Sequence, residues 1–425
     1  MNSSDFGQAI SWHLSQLLKL KNSKRVTFTE ITAEHVTQQM LKPRSLDMNL
    51  VNAQECRRIL DRLAGYQMSP ALWKKIGEYS SFFFLLRRDA LTLSWKFVKI
   101  ASGLSAGRVQ TCALALIVKR EIERLNYVRS AYNSITATFS FGEARLHSIN
   151  DTVVATSTDF DADGNYPSNT LLLTNALANK YLPLLTASKF TISELKSSPR
   201  RSKPPKPFIT SSFQRECCSK LGFNVGDAMR GAQILYEQGY ITYMRTDSDI
   251  LSKDAFMLAQ STVQKKFGDE FLGSNTNRVS DGAHEPIRPA IWEGKFIDPL
   301  RLIEHSRKNG GQLSPKLVQM YELVYQRTIA SVMADMVTNI TSLSINSDDV
   351  NAQFRTSTSI VVDRGYSAIY QSSKEAQESK NFDELAIGDV LHAINVTTRE
   401  HMTSPPSRFS EASFVKELER LGIGR

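Results

Sequence analysis

Two β-rich blocks, separated by a mainly helical block, are the feature that most limits how this chain can fold. Residues 131–200 contain SITATFSFGEARLHSI and KFTISEL, and residues 336–400 contain TNITSLSI and STSIVV. Their alternation of Thr, Val, Ile and Phe with polar residues is typical of antiparallel strands. Pro-rich connectors, SKPPKPF at 202–208 and TSPPSRF at 403–409, follow each block. The sequence therefore predicts one β domain interrupted by an inserted helical domain, with further helices before residue 131.

Charge and cysteine content narrow the class of protein. Lys and Arg outnumber Asp and Glu by 52 to 43, a formal net charge of +9, and this excess favours a polyanionic partner. None of the four cysteines forms a CxxC pair, so we expect no zinc ribbon. No secretory signal is recognisable, and the longest apolar run, Phe82–Leu86, is far short of a membrane span. We therefore expect an intracellular protein without membrane segments.

The stretch YEQGYITYMRTDSD, residues 236–249, concentrates groups that can do chemistry. We expect a short strand from Ile241 to Arg245. Its period of two places Tyr243 and Arg245 on one face, and Asp247 joins them if the chain stays extended. The Arg245 guanidinium would favour the phenolate form of Tyr243 and can bind a phosphate oxygen. Asp247 can orient Arg245 or transfer a proton. On these residues alone, a strand tyrosine beside a solvated Arg–Asp pair is the favoured interpretation.

Three other segments carry polar groups. DGAHEPIRPA, residues 281–290, presents His284, Glu285 and Arg288 on a loop stiffened by two prolines, although a lone histidine is more often structural. SGLSAGRVQT, residues 102–111, opens a helix whose first N–H groups, with Arg108, can hold a phosphate. TDFDADGNYP, residues 158–167, mimics half of an EF-hand but lacks its final Glu, so we expect a solvated acidic turn.

Taken together, six segments resemble the signature segments of the bacterial-type, type IA DNA topoisomerases, in that family's order. They are DRLAGYQMSPALWKKI, GLSAGRVQ, KPPKPFITSSFQ, GYITYMRTDS, AHEPIRP and RFSEASFVKELERLGIGR. The resemblance implies an α+β multidomain toroid, here incomplete, whose split antiparallel β domain forms an arch. It also implies an isomerase that relaxes negatively supercoiled DNA without ATP, by transient cleavage of one strand and strand passage.

The resemblance also implies roles for individual residues. Tyr243 is expected to be the nucleophile that forms a 5′-phosphotyrosyl link, with Arg245 on the scissile phosphate and Asp247 and His284 in the same cleft. Arg108, Gln110 and Arg288 are expected to contact DNA, so the partners are single-stranded DNA and supercoiled duplex, bound by a monomer. On this basis the compartment is the bacterial cytoplasm or nucleoid, or a DNA-containing organelle or nucleus of a eukaryote.

The resemblance further suggests a division into domains. Residues 1–30 are the remnant of a Toprim domain, 31–130 the first part of a helical single-strand-binding domain, 131–205 and 336–402 the arch, 206–335 the inserted domain with the nucleophile, and 403–425 a return to the helical domain.

Departures from the family pattern bear on activity. The family holds Mg²⁺ through an acidic DPDREGEAIAWHL segment, but this chain begins MNSSDFGQAISWHL, with Ser4, Phe6 and Gln8 at three acidic positions. We therefore expect Mg²⁺ as the family cofactor but no metal site within this chain. The chain also stops at GIGR, where the family continues.

Residues 77–99 interrupt a join that the family makes directly, as a retained intron or a lineage-specific loop would. A surface loop or local disorder is expected there. The main alternative function is a catalytically incomplete fragment that only binds single-stranded DNA. A nuclease finds no support, because no intact acidic pair is placed to activate water.

Overall fold

The computed structural model describes residues 5–21, 23–86, 105–274, 285–370 and 380–423, apart from residues 381 and 383. For residues 5, 6, 76–86 and 108 it describes the backbone alone. Within these ranges the chain is α+β, as the sequence predicts. No helix in them is long and apolar enough to span a membrane.

Helices form the first third of the chain. They are α1 (Asp5–Leu17), α2 (Ala33–Met40), α3 (Met48–Leu86) and α4 (Arg108–Leu125). Helix α1 lies against α3, where His13 Nε2 is 3.1 Å from Glu55 Oε1. The backbone of α3 stays helical through residues 77–86, so the loop expected to start at residue 77 begins no earlier than 87. The rest of that interruption, residues 87–99, lies outside the described residues.

The two β-rich blocks form a single sheet. The first block contains β1 (Ala131–Phe139), β2 (Gly142–Ile149), β3 (Thr152–Val154), β4 (Thr170–Leu171), α5 (Asn175–Ala187) and β5 (Phe190–Ser202). Between the blocks lie α6 (Thr210–Leu221), α7 (Val225–Glu237), α8 (Lys253–Lys266), β6 (Ile291–Trp292), β7 (Lys295–Phe296), α9 (Leu302–Lys308) and α10 (Pro315–Ala330). The second block contains β8 (Met336–Ser347), β9 (Ala352–Asp363), β10 (Val390–Leu391) and β11 (Asn395–Met402), and α11 (Glu411–Arg420) follows.

The strand order of this sheet, among the residues that the structure describes, is β10-β5-β8-β9-β2-β1-β11, with β3 and β4 attached beside β2. Four antiparallel pairings join the two blocks: β5 with β8, β5 with β10, β2 with β9, and β1 with β11. Buried apolar side chains on one face, among them Ile135, Phe190 and Phe354, form the core of this sheet. The opposite face is polar. The division that assigns residues 131–205 and 336–402 to one domain stays a prediction.

The helices between the two blocks have a hydrophobic core of their own, which includes Phe208, Phe213 and Tyr321. Helix α7 ends at Glu237, and Gly239 just after it has a φ of +74°, a conformation that favours glycine at this position. A Cβ added there would lie 2.5 Å from the carbonyl oxygen of Ile31. The end of α7 is thereby held close to residues 29–31, which immediately precede α2.

Candidate active site

The segment that contains Tyr243 is extended but is not a strand, and the predicted strand from Ile241 to Arg245 is wrong. A single β-bridge joins Ile241 to Pro289. The Thr242 amide donates to the Arg288 carbonyl at 2.9 Å, and the Tyr243 amide donates to the Thr29 carbonyl at 2.8 Å. The physical reason is the neighbouring sequence PIRPA: proline has no N–H, so residues 286–290 cannot continue a ladder of hydrogen bonds.

Side chains along this segment nevertheless alternate in burial. Thr242 and Met244 are buried, whereas Tyr243 is half-buried and Arg245 and Asp247 are exposed. The structure therefore gives the three predicted catalytic residues of this segment access to solvent.

An aromatic neighbour supports the Tyr243 ring. The ring of Tyr236 on α7 meets it edge to face, with 5.2 Å between centroids. Burial, with a smaller contribution from the nearby Tyr243, raises the pKa of Tyr236 to about 12. At neutral pH Tyr236 is therefore a neutral phenol that packs beside Tyr243.

The start of α6 holds the backbone on both sides of Arg245. Thr210 Oγ1 donates to the Met244 carbonyl at 2.8 Å and accepts from the Thr246 amide at 2.8 Å. The Thr210 amide donates to the Thr246 carbonyl at 3.0 Å. Thr246 Oγ1 in turn donates to the Glu285 carbonyl at 2.8 Å. These bonds fix the position of Arg245 relative to α6 and to the 285–290 loop.

Arg288 lies in the protein interior, whereas the resemblance implies a contact with DNA. Its side chain is 2% exposed, with Nη1 2.7 Å from Glu30 Oε2 and Nη2 2.5 Å from Glu285 Oε2. Burial alone would lower the pKa of Arg288, but Glu285 and Glu30 outweigh it and raise the pKa. Burial likewise favours the neutral form of Glu285. The charge of Arg288 and the hydrogen bonds that Glu285 accepts nevertheless lower the pKa of Glu285. The Arg288 guanidinium therefore forms its ion pairs inside the protein.

This ion cluster reaches the backbone of Tyr243 through Thr29. Thr29 Oγ1 donates to Glu285 Oε2 at 3.0 Å, and the Thr29 carbonyl accepts from the Tyr243 amide. The Ser252 amide also donates to Glu285 Oε1, at 3.1 Å, just before α8 begins. Sequence reasoning missed both Glu30 and Thr29, because no spacing connects them with a loop more than 250 residues later.

The remaining predicted residues are placed less fully. Gln110 lies on the first turn of α4, where its exposed side-chain amide donates to the Ser105 carbonyl at 2.5 Å. Arg108 is the first residue of α4, and its side chain is outside the description. His284 lies outside the described residues. The proposed DNA contacts of Arg108 and Gln110, and the role of His284, stay predictions.

Comparison with known proteins establishes the family. A family model described as DNA topoisomerase matches residues 45–425. This chain belongs to the type IA DNA topoisomerases. DNA topoisomerase 1 of Streptomyces coelicolor is 36% identical over 447 residues, which cover 99% of this chain and 43% of the relative. DNA topoisomerase 1 of Synechocystis is 36% identical over 439 residues, which cover 99% of this chain and 45% of the relative.

A solved structure gives the same result for the fold. The full-length topoisomerase I of Thermotoga maritima superposes with a TM-score of 0.77 at 30% identity, covering 100% of this chain and 63% of that one. The type IA topoisomerase fold is thus confirmed. The chain spans less than half the length of the two curated relatives.

The residues of this type IA chain do not fit the Mg²⁺ that the family implies. Carboxylates are the protein ligands that Mg²⁺ prefers, but Gln8 occupies an expected acidic position. Its side chain is 7% exposed, and its amide oxygen already accepts from the Asp47 amide at 3.2 Å. Within the described ranges no group of three or more His, Cys, Asp and Glu side chains could hold a metal ion. No step is therefore assigned to Mg²⁺ here.

Proposed function

We propose that this chain carries the strand-cleaving part of a type IA topoisomerase, with Tyr243 as the nucleophile. The phenolic oxygen attacks a DNA phosphodiester, the bond from phosphorus to the 3′ oxygen breaks, and a 5′-phosphotyrosyl link forms. The phenolic proton passes to Asp247 or water, and the departing 3′ oxygen takes up a proton. The reverse reaction reseals the strand, and because transesterification conserves the phosphodiester energy, no ATP is required.

The observation that carries this proposal is the placement of Tyr243 on a rigid backbone with an open side. Its amide is bonded to Thr29, and Thr210 holds the chain at Met244 and Thr246. Arg245 and Asp247 are exposed on the same stretch. A guanidinium there can bind a phosphate where charge grows in the transition state. The biological outcome we propose is relaxation of negatively supercoiled DNA by a monomer that binds a single-stranded segment.

Adduct formation tests the assignment. A single-stranded oligonucleotide labelled at its 3′ end is incubated with the chain, with and without the N-terminal part of the Streptomyces coelicolor relative, and then denatured. A 5′-phosphotyrosyl link keeps the 3′ label on the protein. We expect labelled protein in the supplemented reaction and none with Tyr243→Phe. Tyr240→Phe is the matched control, because Tyr240 is buried and its ring packs against Tyr321. Labelled Tyr243→Phe protein would contradict the assignment.

A second candidate function is binding of single-stranded DNA without cleavage. Gln8 in place of a carboxylate favours this alternative for the chain by itself. If the supplemented wild-type protein forms no adduct but still binds the oligonucleotide, binding alone is the function of this chain.

A further inference from the structure

The polar face of the large sheet carries an unusual arrangement of arginines. Arg145 on β2 lies directly opposite Arg355 on β9. Arg399 on β11 lies opposite Ser134 on β1. All three arginines are exposed. We call Arg145, Arg355, Arg399 and the hydroxyl residues Thr136 and Thr397 between them the arginine face.

Within the described part of the chain these three arginines form no ion pair, although the exposed Glu143 lies two residues before Arg145 on the same face of β2. No carboxylate there lies within salt-bridge distance of the three guanidiniums, and Arg355 has a hydrogen bond to Gln353 Oε1 at 2.9 Å. Like charges directly opposite each other on neighbouring strands are destabilising. The Arg145–Arg355 pair thus works against folding, and an anion bound from outside would reverse that effect.

The positive potential of these arginines lowers the pKa of two neighbouring histidines. Burial lowers the pKa of His401, and Arg145 and Arg399 lower it further. Burial and Arg355 do the same to the pKa of His147. Both imidazoles are therefore kept neutral, so the cationic character of the face is that of the arginines at neutral pH.

The spacing and chemistry of the face suit a phosphodiester backbone. Arg145 on β2 pairs with Thr136 on β1, which pairs with Thr397 on β11. Arg399 is two residues beyond Thr397, so it lies two strands and two residues away from Arg145. Strand spacing and rise then separate their Cα atoms by roughly 12 Å, which is about the width of the major groove of B-DNA. Arginine grips phosphate in a bidentate manner, and hydroxyls commonly contact phosphate oxygens.

We propose that the arginine face is a second DNA site, which binds the phosphate backbone of duplex DNA away from Tyr243. Single strands are usually held by stacking on exposed aromatic rings. Tyr132, the ring beside Arg399 and Ser134, is 6% exposed and stacks with His401. The exposed ring of Tyr166 reaches Tyr132 only through Phe160. The groups that the arginine face itself offers a ligand are therefore guanidiniums and hydroxyls. The choice of DNA over another polyanion rests on the proposed function, whereas binding here needs no cleavage.

The test compares two variants of the full chain with equal loss of charge. One carries Arg145→Gln, Arg355→Gln and Arg399→Gln. The control carries Arg301→Gln, Arg307→Gln and Lys316→Gln, three exposed cations around α9 and α10. Fluorescence anisotropy measures binding to a 30-base-pair duplex and to a 30-nucleotide single strand over a range of salt concentrations. We expect the duplex salt slope of the arginine-face variant to fall by ~0.9 per lost phosphate contact, about 2.7 in all.

The control is expected to keep most of its slope. Equal slopes in the two variants, or a loss as large on the single strand as on the duplex, would overturn the proposal. The proposal would also be overturned if the arginine-face variant lost binding to polyglutamate but kept binding to DNA. The face would then bind an acidic protein. The denaturation midpoint of the arginine-face variant should be at or above that of the wild type, which excludes misfolding. Tyr243→Phe should bind duplex normally, so a failed adduct assay leaves this proposal intact.

Discussion

Arg288 and the arginines of the sheet lie in opposite environments. Near Tyr243, Arg288 is 2% exposed and is bonded to two carboxylates. On the sheet, Arg145 and Arg355 are exposed and face each other. A buried, paired arginine therefore stabilises the fold, whereas an exposed arginine without an ion pair is available to a partner. Residue type alone does not make this distinction, as the assignment of Arg288 to DNA from the sequence demonstrates.

The largest expected effect is the loss of Arg288. Arg288→Met leaves Glu30 and Glu285 buried without their partner, and breaking a buried ion pair in this way costs about 3–5 kcal/mol. Urea unfolding should show this decrease in the free energy of unfolding. Arg355→Met is the matched control, and it should not lower stability. If the two variants lose equal stability, the contrast between the two regions is wrong.

A smaller effect is expected from Thr210, whose hydroxyl bonds to the backbone of residues 244 and 246. Thr210→Val leaves the Thr246 amide without its partner, and an unsatisfied buried group costs about 1–3 kcal/mol. Thermal unfolding measures the loss, and the supplemented adduct assay should show a lower yield because Arg245 is less firmly held. Thr210→Ser keeps the hydroxyl and should behave as wild type. Equal behaviour of the Ser and Val variants would assign no role to the hydroxyl.

The smallest effect has the opposite sign. Arg355→Gln removes the like charge opposite Arg145 and should raise the free energy of unfolding by ~0.2–1 kcal/mol at low salt. Screening should reduce the gain as salt increases. Urea denaturation at two salt concentrations measures both. A destabilised Arg355→Gln protein would mean that Arg355 has a structural role on the sheet.

Sequence reasoning was most successful where the signal is local. Alternation within each β-rich block indicates strands, and the blocks do form one sheet through pairings such as β2 with β9. The acidic stretch after residue 158 forms a turn in which Asp161 accepts from the Asn165 amide at 2.8 Å.

Failures occurred where the outcome depends on residues distant in sequence. The predicted strand at 241–245 is irregular because its neighbour contains Pro286 and Pro289, and no property of YITYMR reveals that neighbour. Arg288 and Glu30 are 258 positions apart, so the sequence displays the charge without its partner. The arginine face was missed for the same reason, because its three arginines come from strands in both β blocks.

Glu30 and Arg288 act as a noncovalent cross-link between distant parts of the chain. They tie the stretch before α2 to the loop beside Tyr243, and buried charges of this kind are screened by salt far less than exposed ones. Raising the ionic strength should therefore release bound nucleic acid while leaving this internal tie closed. Under the proposed function, we expect that high salt removes DNA from the protein without loosening the backbone around Tyr243.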